Sequence, residues 1–441
     1  LTLMEGHPVP DQLRARVLTT ATLIEVDAGN IQLAEQLGRQ AITLLEESPA
    51  GPGTDLARAY AQLGGVYSRL EQHVASREWN KKAVDLYIEL EGPSYRGLSS
   101  AYNGLAFSHV IEGDYAAALE YLERDIEVAR ANYGEHHMRM VIPTINLGIT
   151  LRRMGRYEEA IDHFTRARET LDRLPGDHSA REVTLAINLG NTYQNLGDLA
   201  TAARIFEEAL SLSDNENMPP RNRASLLNNS GDLMMIRGDL DAAIERLGLA
   251  RQVKTEIYSE DNISTARTLL LLAQAHMAAG NLALVPELLE KAGNSYVANH
   301  GADSRKMSFF ELVSGQYRLA TNDIEGARDI LRAAYQHRLE EYDPDNVLVL
   351  SPLFTLISVE LGAGDTEQAR EWLEATRPAV ALLKASHPEL IEAGVLEAEV
   401  LAAEGRDVEA RSTAAATLGL INEHFPARRD WIARVTAIST R

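Results

Sequence analysis

The chain has 441 residues, of which 45% are hydrophobic and 24% charged, a composition typical of a folded globular protein and not of a disordered one. Its 64 acidic residues exceed its 43 basic ones, and the net charge of -21 argues against nucleic acid as a partner, because that binding depends on neutralising phosphates. The absence of cysteine excludes disulfides, thiolate metal sites and a cysteine nucleophile.

The N-terminal residues do not have the pattern of a targeting segment. The opening LTLMEGHPVP lacks the basic and then apolar order of a signal peptide, and no apolar run reaches the roughly 18 to 20 residues that span a bilayer. No membrane insertion is therefore expected. Since the chain begins with Leu1 and not Met, we expect a fragment or a processed product of a longer protein. A cytoplasmic location is favoured, or a periplasmic one if the chain was cut from a membrane-anchored protein.

A turn motif recurs along the whole chain. Its central residue is glycine in eight of ten cases, neighbouring copies are 41 or 42 residues apart, and a small residue, usually alanine, follows five positions later. Self-similarity at a fixed period is the signature of a repeat protein. The ten turn residues are Gly29, Glu71, Gly113, Gly155, Gly197, Gly238, Gly280, Asn322, Gly364 and Gly405.

Each repeat is predicted to form two helices separated by the turn. Around Gly197, apolar residues fall at helical spacing both before and after the glycine. The glycine is expected to end the first helix in a left-handed conformation, and the Asp or Arg that follows it opens the second helix. Gly190 and Ala202 are expected to let the two helices approach closely, because a bulky residue at either place would push them apart.

The sequence thus predicts an all-α fold, a single solenoid domain over residues 1–441 built from about ten helix-turn-helix repeats. A repeat of this size cannot bury its apolar face alone, so its neighbours supply the core and the end of the stack needs a cap. Trp431, Ile432, Val435 and Ile438 predict a cap helix at residues 427–440. The repeats are expected at residues 12–50, 51–92, 93–134, 135–176, 177–217, 218–259, 260–301, 302–343, 344–384 and 385–425.

The eighth repeat departs from the common pattern. Phe310 and Tyr317 fit the helical spacing only if the turn from Thr321 to Asp323 carries one extra residue. We therefore expect an insertion at this turn and a shifted set of inward-facing positions in the helix before it.

Packing residues of the fifth repeat carry a family resemblance. They are Leu189, Gly190, Tyr193, Gly197, Ala202, Phe206 and Ala209. With these residues the chain resembles the tetratricopeptide repeat (TPR) family over about residues 12–424, and the 42-residue spacing is more similar to the long repeats of kinesin light chain and of bacterial signalling proteins than to the common 34-residue form. The resemblance implies a right-handed superhelical solenoid whose first helices line a concave face that binds peptides or protein segments.

A strip of polar side chains is predicted on the concave face of the fourth, fifth and sixth repeats. It follows from placing the second helix of each pair outside, so that one side of each first helix faces inward. Asparagine is a poor helix-interior residue, and the strip therefore carries a folding cost that a ligand would offset. The strip consists of Asn146, Arg152, Arg153, Asn188, Asn191, Gln194, Asn195, Asn228, Asn229 and Asp232.

Two interpretations of the polar strip are open. In the first, Asn146, Asn188 and Asn229 form a ladder for an extended peptide, because an amide both donates to and accepts from a peptide bond. This resembles the groove asparagines of kinesin light chain, and Arg152 and Arg153 would bind an acidic group of the partner. In the second, the amides satisfy each other and nearby helix ends, and the arginines pair with local glutamates.

The inward positions of the later repeats are apolar. They form either a hydrophobic pocket for side chains of a partner or part of the core, and the second interpretation is slightly favoured. The residues are Leu270, Met277, Phe309, Leu312, Phe354 and Leu361.

No catalytic motif is found in the sequence. It contains no P-loop, no GxSxG elbow and no HExxH, and no strand is predicted. The adjacent His136 and His137 lie in a junction between repeats, where a helix-capping or solvent-facing role is more plausible than metal binding. We therefore expect neither an enzyme nor a cofactor or metal site.

The sequence favours a non-enzymatic scaffold that binds an extended peptide or a disordered segment of a partner in its concave groove. The alternative is a regulatory or sensor domain of a larger bacterial signalling protein, such as a eukaryotic-like kinase or a transcription regulator, that responds to a small ligand or docks a catalytic domain. A third hypothesis is self-assembly through one end of the solenoid or through the apolar inner stretch.

Overall fold

The computed structural model describes residues 10–49, 51–212 and 218–440, and the predicted repeat boundaries at residues 50 and 217 lie outside them. Contacts divide the chain into two compact units, Leu1–Asp177 and His178–Arg441, here called the first and second unit. The helices of the first unit are α1 (Asp11–Asp27), α2 (Ile31–Glu46), α3 (Thr54–Arg69), α4 (His73–Glu91), α5 (Leu98–Glu112), α6 (Tyr115–Tyr133), α7 (Met138–Arg153) and α8 (Tyr157–Asp172). The helices of the second unit are α9 (Ser179–Asn195), α10 (Leu199–Leu212), α11 (Pro220–Arg237), α12 (Leu240–Ile257), α13 (Ile263–Ala278), α14 (Val285–His300), α15 (Ser308–Ala320), α16 (Ile324–Leu339), α17 (Leu350–Ala363), α18 (Thr366–Val380), α19 (Pro388–Ala403), α20 (Asp407–His424) and α21 (Arg429–Ser439). Single-turn 3₁₀ helices, Leu282–Leu284, Arg305–Met307 and Val347–Val349, precede α14, α15 and α17.

The helices of each unit pack in consecutive pairs. Each first helix packs against the second helix that follows it, and most also pack against the next first helix, as α3 does with α4 and α5, and α9 with α10 and α11. The described residues form ten such pairs, from α1 with α2 to α19 with α20, and α21 follows them. This arrangement confirms the predicted all-α helical repeat fold.

The turn inside each pair depends on one residue with a left-handed backbone. All ten predicted turn residues have positive φ, including the two that are not glycine, Glu71 at 57° and Asn322 at 64°. Glycine adopts this conformation without a steric penalty, which explains its prevalence there. An aspartate after the turn residue often caps the second helix: the Asp365 carboxylate accepts a hydrogen bond from the Gln368 backbone N–H at 3.0 Å.

The expectation of an insertion in the eighth repeat is wrong. The backbone N–H of Asp323 donates to the Arg318 carbonyl, as that of Asp198 donates to Tyr193 in the fifth repeat. The turn therefore has the ordinary length, and Asn322 takes the left-handed position that glycine holds elsewhere. Asparagine tolerates this conformation. The register of the eighth repeat is therefore unchanged, although its sequence lacks the glycine that marks the turn elsewhere.

The two helices of a pair approach closely where the first helix has a glycine. A Cβ atom at Gly190 would overlap the ring of Phe206, and one at Gly148 would lie 2.7 Å from the ring of Phe164. Both phenylalanine side chains are fully buried. The glycines thus make room for the largest core residues of the second helices, as the sequence predicted for Gly190.

The end of the second unit shares a core with its beginning. Val183 of α9 and Leu226 of α11 belong to the same buried apolar cluster as Ile391 of α19 and Trp431 of α21. Trp431 is only 1% exposed, and its ring packs at 5.5 Å, centre to centre, from that of Phe425. The helix α21 thus covers apolar surface, as predicted for the cap helix.

The apolar inward residues of the later repeats are core residues. Leu270, Leu312 and Phe354 are at most 4% exposed, so they offer no open pocket. Met277 and Phe309 are partly buried and pack against the cluster that contains Leu270, and Leu361 packs in the same way against the cluster around Phe354. None of the helices in the described part of the chain combines the length and apolar character needed to cross a bilayer.

A methyl group at the close approach should weaken the fold. We expect Gly190→Ala to lower the free energy of unfolding by roughly 1–3 kcal/mol, because the Phe206 ring has to shift in a packed core. Gly65→Ala in α3 is the matched control, since its Cβ meets no atom within 4 Å. It should raise stability by up to about 1 kcal/mol, because alanine is the better helix former. Urea unfolding of both variants measures the difference, and equal effects would contradict the packing role of Gly190.

A buried carboxyl in α6 should make stability depend on pH. Burial raises the pKa of Asp125 from 3.8 to about 6, although a hydrogen bond from Ser99 lowers it. The folded state therefore binds a proton that the unfolded state releases, and stability falls as pH rises from about 4 to 6. Asp125→Asn should leave the free energy of unfolding unchanged at pH 4 and should raise it at pH 7 by up to about 3 kcal/mol. Urea unfolding across this range tests it, and a difference that does not change with pH would contradict it.

Candidate functional site

The polar strip of the second unit lies on α9 and α11. Its members on α9 are half-buried, and so are Asn229 and Asp232 on α11. Half-burial places these side chains at the boundary between the core and the solvent. The α9 members are Asn188, Asn191, Gln194 and Asn195.

Asn188 and Asn229, here called the amide row, hold their side chains in the same way. The Nδ2 atom of Asn188 donates to the Thr184 carbonyl at 2.9 Å, and that of Asn229 donates to the Ser225 carbonyl at 2.7 Å. Each bond joins a side chain to its own helix one turn earlier and fixes the orientation of the amide. Besides the N–H used in this bond, each amide has a carbonyl oxygen and a second N–H.

A second set of polar side chains, here called the polar row, lies six residues before the turn in four first helices of the second unit. It consists of Asn191, Asp232, Gln274 and Gln316. Gln274 of α13 donates to Gln316 of α15 at 2.9 Å, so the row continues along successive repeats. The sequence interpretation missed both glutamines. Their constant offset from Gly280 and Asn322 would have found them, had the eighth repeat been placed in register.

Gln194 joins the strip residues of α9 to those of α11. Its Nε2 atom donates to the Asp232 carboxylate at 3.3 Å. Its Oε1 atom is buried and has no hydrogen-bond donor among the described residues. A buried acceptor in this position favours binding of a group that carries an N–H or O–H.

Charges from α13 and α19 act on the strip. Burial raises the pKa of Asp232, the hydrogen bond from Gln194 and the charge of Arg267 lower it, and the charge of Glu389 raises it. Burial likewise raises the pKa of Glu392 on α19, against the charges of Arg428 and Arg434. The interaction of Asp232 with Glu389 shows that α11 and the beginning of α19 lie close together within the second unit.

Asn228 is placed away from the rest of the strip. It is 7% exposed, and its Oδ1 atom accepts hydrogen bonds from the Thr268 hydroxyl at 2.7 Å and from the Lys254 ammonium at 3.3 Å. Lys254 also donates to the Ser264 carbonyl at 3.0 Å, and burial lowers its pKa to about 8. Asn228 therefore joins α11, α12 and α13 inside the stack and does not present its amide to a groove as the sequence suggested.

The remaining members of the strip belong to α7 in the first unit. Asn146 is half-buried and donates to the Asn103 side chain of α5 at 3.4 Å. Arg152 is half-buried and Arg153 exposed, both in the last turn of α7. Arg156 forms a two-pronged ion pair with Glu159, at 2.7 and 2.6 Å, so this glutamate already has a partner.

The described residues contain no cluster of three or more His, Asp or Glu arranged to hold a metal ion. His137 caps α7, with its Nδ1 atom accepting a hydrogen bond from the Arg139 backbone at 3.1 Å. His136 contacts Arg173. His137 thus has the capping role that the place of the pair between repeats suggested, whereas His136 contacts a side chain of α8's C-terminal end.

Several solved structures share this fold. A Rap protein complexed with Competence and Sporulation Factor is 13% identical, with 83% of this chain and 98% of that chain covered and a TM-score of 0.59. The apo form of the quorum sensor NprR from B. thuringiensis is 12% identical, with 82% and 97% covered and a TM-score of 0.58. At these identities the likeness shows the fold alone. A search of curated proteins finds no match to this chain.

Family models match most of the chain. Residues 55–131 and 97–172 match the tetratricopeptide repeat, and residues 135–423 match the MalT-like TPR region. Repeats of this type are typical of protein-interaction domains and generally form non-catalytic scaffolds. The match to the MalT-like TPR region covers residues 135–423, which is more than half of the sequence. The chain therefore belongs to the tetratricopeptide repeat family, with a MalT-like TPR region over these residues.

Proposed function

We propose that the second unit binds an extended peptide or a disordered segment of a partner protein along its first helices, without catalysis. The amide row and the polar row together carry this proposal. They place polar side chains at the same offsets on consecutive first helices, from α9 to α15. Such a periodic arrangement suits an extended chain, whose backbone groups also repeat.

The amides of Asn188 and Asn229 would contact the peptide backbone. Each is oriented by a bond to its own helix, at 2.9 and 2.7 Å, so little side-chain freedom is lost on binding. An amide donates to a peptide carbonyl and accepts from a peptide N–H, whatever the peptide sequence. Gln194 would add an acceptor, because its Oε1 atom is buried without a donor among the described residues.

The folding cost of these residues supports the proposal. An asparagine inside a helix costs up to about 0.7 kcal/mol relative to alanine. A hydrogen bond to a ligand contributes about 0.5–1.5 kcal/mol net, which offsets this cost only when a ligand is bound. Residues kept at such a cost on one face of two consecutive first helices are more simply explained by binding than by folding.

In the first unit, Asn146, Arg152 and Arg153 on α7 would offer polar and basic groups of their own to a partner. The exposed guanidinium of Arg153 suits a carboxylate, either an acidic side chain or a chain terminus. The proposed partner is therefore a protein or peptide segment with an acidic group. The structure of a Rap protein with Competence and Sporulation Factor shows that a similar fold can be found in complex with another molecule.

Removal of the amide row should weaken peptide capture without unfolding the protein. We expect Asn188→Ala combined with Asn229→Ala to raise the Kd of a peptide, selected from a displayed library of random sequences, by about tenfold or more. Alanine is a better helix former, so the melting temperature should stay the same or rise slightly. Fluorescence anisotropy of the labelled peptide and thermal unfolding give the two readouts.

The matched control is Asn299→Ala. Asn299 is an exposed residue of the second helix α14 and makes the same bond to its own helix, to the Ser295 carbonyl at 2.8 Å. This variant should bind the peptide like the unaltered chain. Failure of the library to yield any binder, or an equal Kd for the double variant and the control, would refute the proposal. A small ligand that stabilises the chain where no peptide does would favour the sensor alternative.

A further inference from the structure

Two contacts in the second unit join its beginning to its end. The Nε2–H of His387, the residue before α19, donates to the backbone carbonyl of Asn195 at the end of α9, at 3.0 Å. Arg428, the residue before α21, donates to the carbonyl of Ile236 in α11 at 3.4 Å. Both pairs are 192 residues apart in sequence, so the two contacts repeat one geometry. These four residues are called the clasp below.

The backbones come close together at the clasp. A Cβ atom at Gly197 would lie 3.0 Å from the Cα atom of His387, and one at Gly238 would lie 3.0 Å from the carbonyl oxygen of Ala427. Gly280 and Gly364 have the same left-handed backbone, and a Cβ at either would meet no atom within 4 Å. The glycines at 197 and 238 are therefore needed for the approach of the two segments as well as for the turn.

The clasp is physically continuous with the polar strip. Asn195 belongs to the strip, and its neighbour Gln194 donates to Asp232. The charge of Asp232 interacts with that of Glu389, whose carboxylate lies 2.7 Å from the Nδ1 atom of His387. A group bound at Gln194 and Asp232 would thus lie one residue from Asn195 and near the charge of Glu389, which lies beside His387.

The closed arrangement is held by polar contacts around an apolar centre. The Arg428 guanidinium lies 3.5 Å from the centre of the Trp431 ring, and Trp431 shares a buried cluster with residues of α9 and α11. An apolar centre favours closure, whereas the two hydrogen bonds to helix ends give it a defined register. Such an element can have two discrete arrangements separated by a small free energy.

We propose that the clasp is a gate, which opens to admit a ligand to the strip on α9 and α11 and closes behind it. Its role in ligand control rests on the proposed function. The closure itself does not, because it is a property of the chain without any ligand.

Access to the strip can be measured with a single thiol. The chain has no cysteine, so Asn229→Cys introduces the only reactive thiol on the strip. Its reaction rate is compared for N-ethylmaleimide and for a maleimide that carries a polyethylene glycol chain. In the otherwise unaltered chain we expect the small reagent to react readily and the large one slowly, because the large one needs the open form.

Opening the clasp should raise the rate of the large reagent selectively. We expect Gly197→Ala, combined with Asn229→Cys, to raise the ratio of large-reagent to small-reagent rates by about tenfold, since its methyl group presses on His387 in the closed form. Gly280→Ala is the matched control. It carries the same left-handed strain, with φ of 79° against 84°, but its methyl group meets nothing, so the ratio should not change.

A second variant opens the clasp without a clash. His387→Ala removes the donor to Asn195 and should raise the same ratio. An equal ratio in the unaltered chain, His387→Ala and both glycine variants would overturn the gate, as would a large reagent that reacts as fast as the small one in the unaltered chain. Gating in a chain that binds no peptide would refute the proposed function alone.

Discussion

Every repeat depends on one residue in the left-handed backbone conformation. This residue ends the first helix and lets the chain reverse within a single turn, and its φ lies between 57° and 87° in all ten repeats. The reversal brings a small residue of the first helix, such as Gly190, against a large residue of the second, such as Phe206. Because the turn recurs every 41 or 42 residues, each position of the repeat keeps its side of the stack.

Because the register is fixed, polar residues of separate repeats lie in rows. Asn188 and Asn229 lie nine residues before their turns, and Gln274 and Gln316 lie six residues before theirs. The same offset in consecutive repeats places side chains next to each other although 41 or 42 residues separate them along the chain, as the bond between the two glutamines demonstrates. A polar surface of this kind needs no loop, since rigid helices hold its groups in place.

Local periodicity was sufficient to predict most of the fold, and it failed where contacts are not periodic. The helix pairs, the left-handed turns and the close approach at Gly190 follow from spacing within one repeat. The burial of Asn228 does not: it differs from its neighbour Asn229 by one residue, and one residue rotates a side chain by about a quarter of a helical turn. The clasp between His387 and Asn195 was equally hidden, because it depends on small rotations summed over several repeats.

Because the repeats are similar in sequence, one repeat could stack on the wrong neighbour. Ion pairs between consecutive repeats oppose such errors. Arg77 follows its turn by six residues and pairs with Glu112, the residue just before the next turn, and Arg370 pairs with Glu404 from the same two positions. In the remaining repeats, the residue before the turn is never acidic. A stack that skipped one repeat would set Arg77 against Met154, which offers its charge no partner. Such pairs add little net stability, because desolvation offsets their attraction, but a mismatched charge is costly. Their value therefore lies in selecting the correct neighbour, which a regular array of alanines and leucines cannot do.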